Sequence, residues 1–447
     1  MQTRGVPGTN LTHGDSIYAI LCHMISLDFI CQYPQVVSEA LRKRRDARNV
    51  DDILRLAEQR RGLAARINGL YVPLKKLKEE VRAAPAAKRP DLNKRMKAIT
   101  EDIRKLEIQS SDVDTQLQLL LLSLPNLPHR SVQEGDSEAD DRELRKWREP
   151  LMHQFEPQTH WDLGERLGII DAESGGKIAG SRFVTLKGAG ARLERALISF
   201  MLDVHTREHG YTEVMPPLLA KRSVMVAAGQ LPKFEDQVYV ISPDELYLNP
   251  TAEVPLVGMH SDTIFPTGTL PLRYVAWTTA FRREAGSASR QTRGLQRLHQ
   301  FNKIELFQIV APEDSYAALE QMLLHAEIIL QRLDLSYRVM VLCAANLPFA
   351  SALTIDLEIW MPGQGRYVEV SSVSNCEAFQ ARRANIKYRP AKSTHAEYVH
   401  TLNASGLAVG RTMAAILETY QQADRSVVVP KVLRPYMGVS QLSPQYN

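Results

Sequence analysis

Apolar residues recur at alternating steps of three and four positions between Ile53 and Leu124, in two runs separated by a break. The runs are Ile53, Leu56, Arg60, Leu63, Ile67, Leu70, Leu74, Leu77 and Val81, then Leu92, Met96, Ile99, Ile103, Leu106, Ser110, Val113, Leu117, Leu120 and Leu124. This spacing predicts two long helices, at about residues 50–82 and 91–122, that pack together through narrow seams as a coiled coil. Pro85 and Pro90 interrupt the pattern and Asp91 can cap the second helix. We therefore expect an antiparallel hairpin that projects as an arm of roughly 45–50 Å, at about 1.5 Å per residue.

The outer half of this hairpin carries an excess of positive charge. From Lys75 to Lys105 there are eleven Lys or Arg residues against five Asp or Glu. The pattern is compatible with the ordinary solvated face of a coiled coil and with a surface that follows the phosphates of a structured nucleic acid. The candidates for such phosphate contacts are Lys75, Lys76, Lys78, Arg82, Lys88, Arg89, Lys94 and Arg95.

Beyond Leu124 the periodic pattern stops. Residues 125–158 contain prolines and an acidic stretch and are typical of a linker. From 159 to 447 strand-like and helix-like segments alternate, with helices expected at Ala191–Gly210 and Gly410–Gln422 and strands around Leu270–Phe281 and Lys303–Val310. No GxxxxGK[ST] or GxGxxG loop occurs, so a bound nucleotide would not be held by a P-loop or a Rossmann turn.

Composition and cysteine content limit the kinds of protein that this chain can be. A chain of 447 residues suits two or three domains, and its net charge of +4 permits a polyanionic partner without demanding one. The apolar stretch from Ile17 to Cys31 is interrupted by His23 and Asp28 and is shorter than the roughly 20 residues of a membrane span, so we expect no membrane segment. The cysteines form no C-x-x-C pair, which argues against a zinc site or a disulfide framework and fits a reducing, cytoplasmic location; they are Cys22, Cys31, Cys343 and Cys376.

The segment from Phe281 to Glu305 carries the clearest candidate chemistry. Its pattern predicts a strand, a long loop and a returning strand. Arg282 and Arg297 would offer guanidinium forks that match phosphate oxygens. Phe301 offers a face on which a purine can stack, and Glu305 could hold an ammonium or a hydroxyl group. A basic surface hairpin is the alternative interpretation of the same residues.

This segment closely resembles motif 2 of the class II aminoacyl-tRNA synthetases, in its seryl-specific form. Thr251-Ala252-Glu253 is similar to the serine-binding loop of that family. Glu369-Val370-Ser371-Ser372, followed by Phe379-Gln380-Ala381-Arg382-Arg383, is similar to its ATP and metal segment, and 402–412 is similar to motif 3. Gly190–Pro217 matches motif 1. The resemblance runs from about Ile25 to Gly438 in the family's order, and four linked motifs make it very specific.

The resemblance implies a set of site residues. Catalysis would depend on Arg282 and Arg411. Serine would contact Thr251, Ala252, Glu253, Arg282, Glu305 and Ser405. ATP would contact Arg282, Arg283, Glu284, Arg297, Phe301, Glu369, Val370, Ser371, Ser372 and Arg411. Phe301 and Arg411 would lie on either side of the adenine, and Arg297 and Arg411 would hold the phosphates. Glu369 and Ser372 would bind Mg²⁺.

The resemblance also implies an α+β fold, in which an antiparallel sheet flanked by helices forms a catalytic domain at 159–447. An N-terminal tRNA-binding domain with the coiled-coil arm would occupy 24–124 and the linker 125–158. The expected activity is an ATP-dependent serine–tRNA ligase that forms seryl-adenylate and then charges tRNA(Ser), with tRNA(Sec) as a second candidate substrate. Family members are homodimers. Met24-Ile25-Ser26-Leu27-Asp28 is similar to the family's usual start, so 1–23 is expected to be an extension.

The chain departs from the family pattern at four positions. Leu353 and Ile355 stand where the family often has Lys and Tyr, and Arg283 and Gln291 replace a common Ser and Asp. Two other functions are the alternatives to the expected one. A ligase that charges a carrier protein would lack the long arm, and a non-catalytic RNA-binding paralogue would be expected to have lost catalytic residues such as Arg282 or Arg411, which are present.

Overall fold

The structure is a computed structural model that describes residues 26–285, 293–391 and 393–443. The chain divides into two compact units, one within His23–Pro125 and one formed mainly by Asn126–Asn447. The extension expected at 1–23 and the substituted Gln291 lie outside the described residues. In the part of the chain that is described, no helix is long and apolar enough to cross a membrane.

Among its described residues, the N-terminal unit contains four α-helices. They are α1 (Leu27–Gln32), α2 (Pro34–Lys43), α3 (Val50–Ala83) and α4 (Arg89–Ser123). Asn49 caps α3, since its side chain accepts a hydrogen bond from the backbone of Asp51 at 2.9 Å. The long helices correspond to those expected at about 50–82 and 91–122, and α3 continues through Pro73.

Apolar residues of the two seams hold α3 and α4 together. The seam residues that are buried are Ile53, Leu56, Leu63, Leu74 and Leu77 on α3 and Ile103, Leu106, Val113 and Leu117 on α4. Arg60, the polar residue in the α3 seam, forms an ion pair across the hairpin, with 2.7 Å between its Nε and Asp114 Oδ1. Further along, the Tyr71 hydroxyl donates to Glu107 at 3.0 Å, so the two helices run antiparallel.

The C-terminal unit is built on a large eight-stranded sheet. Its strands are β1 (Arg142–Trp147), β4 (Thr212–Glu213), β9 (Leu272–Phe281), β10 (Gln300–Val310), β11 (Tyr337–Val341), β12 (Leu353–Met361), β13 (Arg366–Glu377) and β16 (His400–Ala408). They lie in the order β1-β11-β12-β13-β16-β10-β9-β4, in which all pairs but β4–β9 are antiparallel. The remaining strands form small sheets: β2 (Ile170–Asp171), β3 (Thr185–Leu186), β5 (Leu219–Lys221), β6 (Val240–Ile241), β7 (Leu246–Leu248), β8 (Ile264–Phe265), β14 (Lys387–Tyr388), β15 (Glu397–Tyr398), β17 (Val427–Val428) and β18 (Gln441–Leu442). An antiparallel sheet with helices confirms the α+β fold class.

Helices cover both faces of this sheet. They are α5 (His160–Arg166), α6 (Ala172–Ala179), α7 (Gly188–Arg207), α8 (Arg222–Ala227), α9 (Glu253–Gly258), α10 (Ser315–Arg332), α11 (Phe379–Ala384), α12 (Val409–Thr419) and α13 (Arg434–Met437). Side chains of β10 alternate between two apolar cores: Ile304 and Leu306 enter the core with α7, α10 and α12, whereas Phe307 and Ile309 enter the core with α8, α9 and α11. This alternation puts the side chain of Glu305 on the second face, towards α9 and α11.

Candidate active site

The expected site residues converge on the middle of the large sheet. Arg282 directly follows β9, Glu305 lies on β10, Glu369–Ser372 lie on β13, and Ser405 lies on β16. The helix α9 begins at Glu253, and α12 carries Arg411. Neighbouring strands fix the spacing: Glu305 pairs with Ser405 in the ladder, and the Ser371 hydroxyl donates to the Ser405 carbonyl at 2.5 Å.

Glu305 is the centre of the part expected to bind serine. Its side chain is 0% exposed, and its Oε2 accepts from Thr251 Oγ1 and from Lys303 Nζ, both at 2.5 Å. Lys303 also donates to Thr251 at 3.1 Å, so the three side chains form a closed triangle. The other carboxylate oxygen, Oε1, is buried and has no partner among the described residues. Since an unpaired buried acceptor is costly, a ligand donor is expected there.

Glu253 provides a second buried carboxylate beside Glu305. Its Oε1 accepts from Gln380 Nε2 at 2.5 Å and from Asn403 Nδ2 at 2.9 Å. Burial, together with the charge of Glu305, raises the pKa of Glu253 to about 7, against the lowering effect of Lys303. Two buried acidic groups that interact with each other favour a cationic ligand group. The neighbouring Ala252 is fully buried and packs in the apolar core with α8, α9 and α11.

Arg282 stands between this pair of carboxylates and the residues expected to bind ATP, and its charge interacts with both groups. Its Nε donates to the Pro250 carbonyl at 3.1 Å, and its guanidinium lies 5.2 Å from the centre of the Phe301 ring. Burial lowers the pKa of Arg282, and the charge of Arg411 does so as well, while Glu284 opposes the shift. The guanidinium is therefore held in place by the protein and is poorly solvated, which favours an anionic partner.

The residues expected to contact ATP phosphates are already engaged with carboxylates. Arg411 Nη1 lies 3.3 Å from Glu369 Oε2 and donates to the Glu369 carbonyl at 2.7 Å. Arg297 Nη1 lies 3.7 Å from Glu284 Oε2. Arg283 lies beside them at the end of β9, and its backbone N–H donates to the Gln237 carbonyl at 2.8 Å.

In the segment expected to bind ATP and metal, the side chain of Glu369 is accessible, whereas those of its next two neighbours are not. The side chain of Glu369 is 46% exposed. Withdrawal from water raises its pKa, but the charge and hydrogen bond of Arg411, with the charge of Arg282, outweigh this, so the pKa of Glu369 is lowered. In contrast, Val370 packs in the apolar core and the Ser371 hydroxyl is engaged with Ser405, so neither side chain faces a ligand.

Glu369 and Ser372 fit the demands of Mg²⁺. The ion usually takes one or two carboxylates together with substrate phosphates, and an ionised, accessible carboxylate meets that requirement. Ser372 lies opposite Asp356 in the pairing of β13 with β12, and burial, together with the charge of Glu369, raises the pKa of Asp356 well above its ordinary value. Within the described residues no group of three or more His, Cys, Asp or Glu could hold a metal by itself.

Two of the departures from the family pattern are accommodated by the core. Leu353 and Ile355, on β12, are buried in the larger apolar core, where their side chains pack against other aliphatic residues. The eight basic residues expected to contact tRNA lie on the hairpin or its turn, and all eight are exposed.

Sequence reasoning did not single out the residues that hold the two carboxylates. These are Lys303, Gln380 and Asn403, which lie on β10, α11 and β16. For Lys303 a signal existed: it stands two positions before Glu305 on a strand, and therefore on the same face. Gln380 and Asn403 come from distant segments, and only the fold brings them to Glu253.

Comparisons with known proteins agree with this geometry. The chain matches the family models described as "Seryl-tRNA synthetase N-terminal domain", over residues 24–128, and "tRNA synthetase class II core domain (G, H, P, S and T)", over residues 235–420. It is 56% identical over 348 residues to a serine–tRNA ligase of Geobacillus sp., covering 78% of this chain and 80% of that protein. It is 48% identical over 426 residues to a serine–tRNA ligase of Thermodesulfovibrio yellowstonii, covering 93% and 99%.

Solved structures give the same answer. The crystal structure of seryl-tRNA synthetase from Pyrococcus horikoshii complexed with ATP superimposes with a TM-score of 0.88 at 35% identity, covering 94% of this chain and 100% of that one. The resemblance and the class II fold expected from the sequence are thereby confirmed. The chain belongs to the seryl-tRNA synthetase family of serine–tRNA ligases.

Proposed function

We propose that this chain activates L-serine with ATP, forming seryl-adenylate and pyrophosphate, and then transfers serine to the 3′ end of tRNA(Ser). The observation that carries the proposal is the buried carboxylate pair Glu253 and Glu305, with Glu305 Oε1 lacking a partner among the described residues and Arg282 beside it. A cavity with two carboxylates and one guanidinium complements a zwitterionic amino acid.

Serine is selected by buried hydrogen-bonding groups. Its ammonium and hydroxyl groups would be bound among Thr251, Glu253, Glu305 and Ser405, all at most 9% exposed, and its carboxylate by Arg282. A site built to hydrogen-bond a hydroxyl rejects an analogue that lacks it by roughly 10⁴–10⁵, because its polar groups are left unpaired. Alanine should therefore be rejected strongly.

Adenylate formation is an in-line attack of the serine carboxylate on the α-phosphate, which displaces pyrophosphate. Proton transfer is not obligatory, so positioning and charge neutralisation should dominate. Arg282 orients the attacking carboxylate against the α-phosphate. Arg411 and Arg297 exchange their present carboxylate partners for phosphate oxygens. Mg²⁺ held by Glu369 and Ser372 would supply further neutralisation of phosphate charge.

The remaining parts of the proposal concern partners. The hairpin with its basic residues, within the 24–124 domain, would grip tRNA(Ser), and tRNA(Sec) is a candidate second substrate. The 125–158 segment would link it to the catalytic domain proposed at 159–447, and it also contributes β1 to the large sheet of that unit. The three described cysteines are free, which fits a cytoplasmic enzyme. Like its family, the chain would act as a homodimer.

The test is ATP–pyrophosphate exchange with the full chain, comparing serine, threonine, alanine and glycine, followed by addition of tRNA. Exchange that depends on serine, and then charged tRNA(Ser), is the expected result. Exchange without tRNA charging would point to a ligase for a carrier protein. Absence of exchange with every amino acid would point to a non-catalytic RNA-binding protein and would overturn the proposal. Size measurement in solution tests the dimer separately.

A further inference from the structure

A buried polar network lies beside the nucleotide side of the site and involves residues with no role in the mechanism above. At its centre, Glu418 on α12 and His160 at the start of α5 are both 0% exposed. The Glu418 carboxylate accepts four hydrogen bonds: from His160 Nδ1 at 2.7 Å, from the His160 backbone at 3.0 Å, from Gln364 at 3.0 Å and from the Gly363 backbone at 2.9 Å. The carboxylate is thus fully satisfied, and it fixes the orientation of the imidazole.

The other imidazole nitrogen holds the chain that returns to β10. His160 Nε2 accepts a hydrogen bond from the backbone N–H of Leu295 at 3.1 Å. Since Nδ1 faces a carboxylate and Nε2 faces an N–H donor, the ring is neutral with its proton on Nδ1. In this tautomer the imidazole bridges the two groups: Nδ1 is held by the Glu418 carboxylate, and Nε2 holds the backbone N–H of Leu295.

Gly294 allows this close approach. Its φ is +74°, and a Cβ at this position would lie 2.1 Å from His160 Nε2, well inside the contact distance of the two atoms. The backbone therefore passes directly over the imidazole, and a side chain at 294 would displace one or the other.

The same network reaches two arginines of the nucleotide side. Gln296 donates to Gln364 at 2.9 Å, and its carbonyl accepts from Arg411 Nε at 3.3 Å. Arg297 is the next residue along this segment. The network therefore fixes the backbone from which the Arg297 side chain extends, and it provides one of the hydrogen-bond acceptors of Arg411. The residues expected to bind serine lie on other strands and helices.

We infer that His160 and Glu418 are positioning residues for ATP: they hold the Gly294–Arg297 segment so that Arg297 and Arg411 meet the phosphates. The inference rests on the proposed function for the identity of the nucleotide. Neither residue touches the reacting atoms.

The test is direct binding of ATP, and separately of serine, to the full chain and its variants by calorimetry. In H160N the amide can still donate to Glu418 but has no acceptor for the Leu295 N–H. We expect its Kd for ATP to rise about tenfold, the equivalent of one lost hydrogen bond, with the Kd for serine unchanged. In H160Q the amide oxygen takes the place of Nε2, and ATP affinity should return to within about threefold of wild type.

Gly294→Ala tests the close approach, with Gly268→Ala as its matched control. Gly268 also has a positive φ, of +83°, but nothing lies within 4 Å of the point that its Cβ would occupy. Both variants carry the strain of an alanine in the left-handed region, but only G294A should weaken ATP binding. Hydrogen–deuterium exchange of the peptide 293–299 should rise in H160N and G294A and stay at the wild-type level in G268A.

The outcomes separate this inference from the proposed function. If H160N and G294A bind ATP as wild type does, or lose serine affinity by the same factor, the inference is overturned. If the wild-type chain binds ATP but shows no serine-dependent exchange, the proposed function is wrong, while the Kd values still decide the inference. If the wild-type chain does not bind ATP, both are overturned.

Discussion

The side chains assigned to the serine ammonium and hydroxyl are almost fully buried, whereas those assigned to the ATP phosphates stand partly in solvent. Glu305 and Thr251 are 0% and 3% exposed, while the side chains of Arg297 and Arg411 are 48% and 25% exposed. The two halves of the site also differ in their partners. In the serine half, hydrogen bonds cross-link the buried carboxylates to their neighbours, whereas in the ATP half the side chains of Arg297 and Arg411 each pair with a separate carboxylate, Glu284 and Glu369.

This difference indicates how each ligand is recognised. A small amino acid offers few atoms, so discrimination requires polar groups that are withdrawn from water and fixed before binding. A triphosphate offers much charge, and exposed arginines can exchange an intramolecular carboxylate for a phosphate at small cost. If burial and exposure separate the two functions, substitutions, pH and salt should affect the two halves differently.

The largest effect is expected from Glu305→Gln. The amide cannot balance the charge of Lys303, which is only 11% exposed, and breaking a buried pair costs about 3–5 kcal/mol. We expect kcat/KM for serine in ATP–pyrophosphate exchange to fall by about 100- to 1,000-fold, with the KM for ATP within about threefold of wild type.

A matched control for this substitution is Glu397→Gln, at an exposed position on β15. It should leave both KM values and the melting temperature unchanged. If the Glu305 variant impaired the use of serine and of ATP by the same factor, the two halves of the site would not be independent, and the contrast between them would be wrong.

Arg282→Lys should affect both halves, because Arg282 lies between them. Lysine keeps the charge but cannot reproduce the guanidinium that bonds to Pro250 and stacks on Phe301. We expect kcat for exchange to fall by about 100-fold, as for loss of one electrostatic contact in a transition state. Arg222→Lys, at an exposed position on α8, is the control. A change confined to the KM for serine would place Arg282 in the serine half alone.

The pH dependence of serine binding should follow Glu253. Burial raises its pKa from 4.5 to about 7, so the carboxylate loses its charge as the pH falls through 7, and its attraction for the serine ammonium is lost with it. The KM for serine should therefore rise by up to about tenfold per pH unit below the pKa, while the KM for ATP changes less. Glu253→Gln should abolish this dependence, and a profile that Glu253→Gln leaves intact would contradict the assignment.

The same pKa shift should appear in the stability of the protein. Because the pKa of Glu253 is raised on folding, its contribution to stability is fully present below pH 4.5 and is lost as the pH rises through about 7. Chemical denaturation should therefore show that Glu253→Gln becomes more stable relative to wild type as the pH is raised from about 5 to about 8.

Gln380 offers a way to move this titration without changing the carboxylate. Its amide orientation is fixed, since its Oε1 accepts from the Thr401 hydroxyl at 2.7 Å and its Nε2 therefore faces Glu253. Gln380 lowers the pKa of Glu253, so Gln380→Leu should shift the midpoint of the serine KM profile to higher pH. An unchanged midpoint would show that Gln380 does not act on Glu253.

The outline of the fold could be predicted from the sequence, and the structure brings the expected site residues together on the large sheet, but how they are held there could not be predicted. The seams of α3 and α4 follow from local periodicity, and the motifs place Arg282, Glu305 and Arg411 on known elements. Gln380 and Asn403 lie within the motifs, but their contact with Glu253 could not be predicted, since they reach it from distant segments, as the sequence separations of 127 and 150 show. Val370 is expected at the ATP site because it lies within a motif, and this stays a prediction; what the motif does not show is that strand geometry turns its side chain into the core.

The smallest effect, and the sharpest contrast between the halves, should come from salt. The Debye length falls from about 10 Å at 0.1 M to about 3 Å at 1 M, so exposed charges are screened and buried ones are not. The KM for ATP should rise several-fold over this range, while the KM for serine stays within about twofold, since its partners are buried. Arg297→Gln should raise the KM for ATP by only a few-fold, as for a partly exposed pair, and should reduce its salt dependence. Arg222→Gln again provides an exposed control. If the KM for serine rose with salt as steeply as the KM for ATP, solvent would reach Glu305 and Glu253 in the working enzyme, and burial could not be the basis of serine selection.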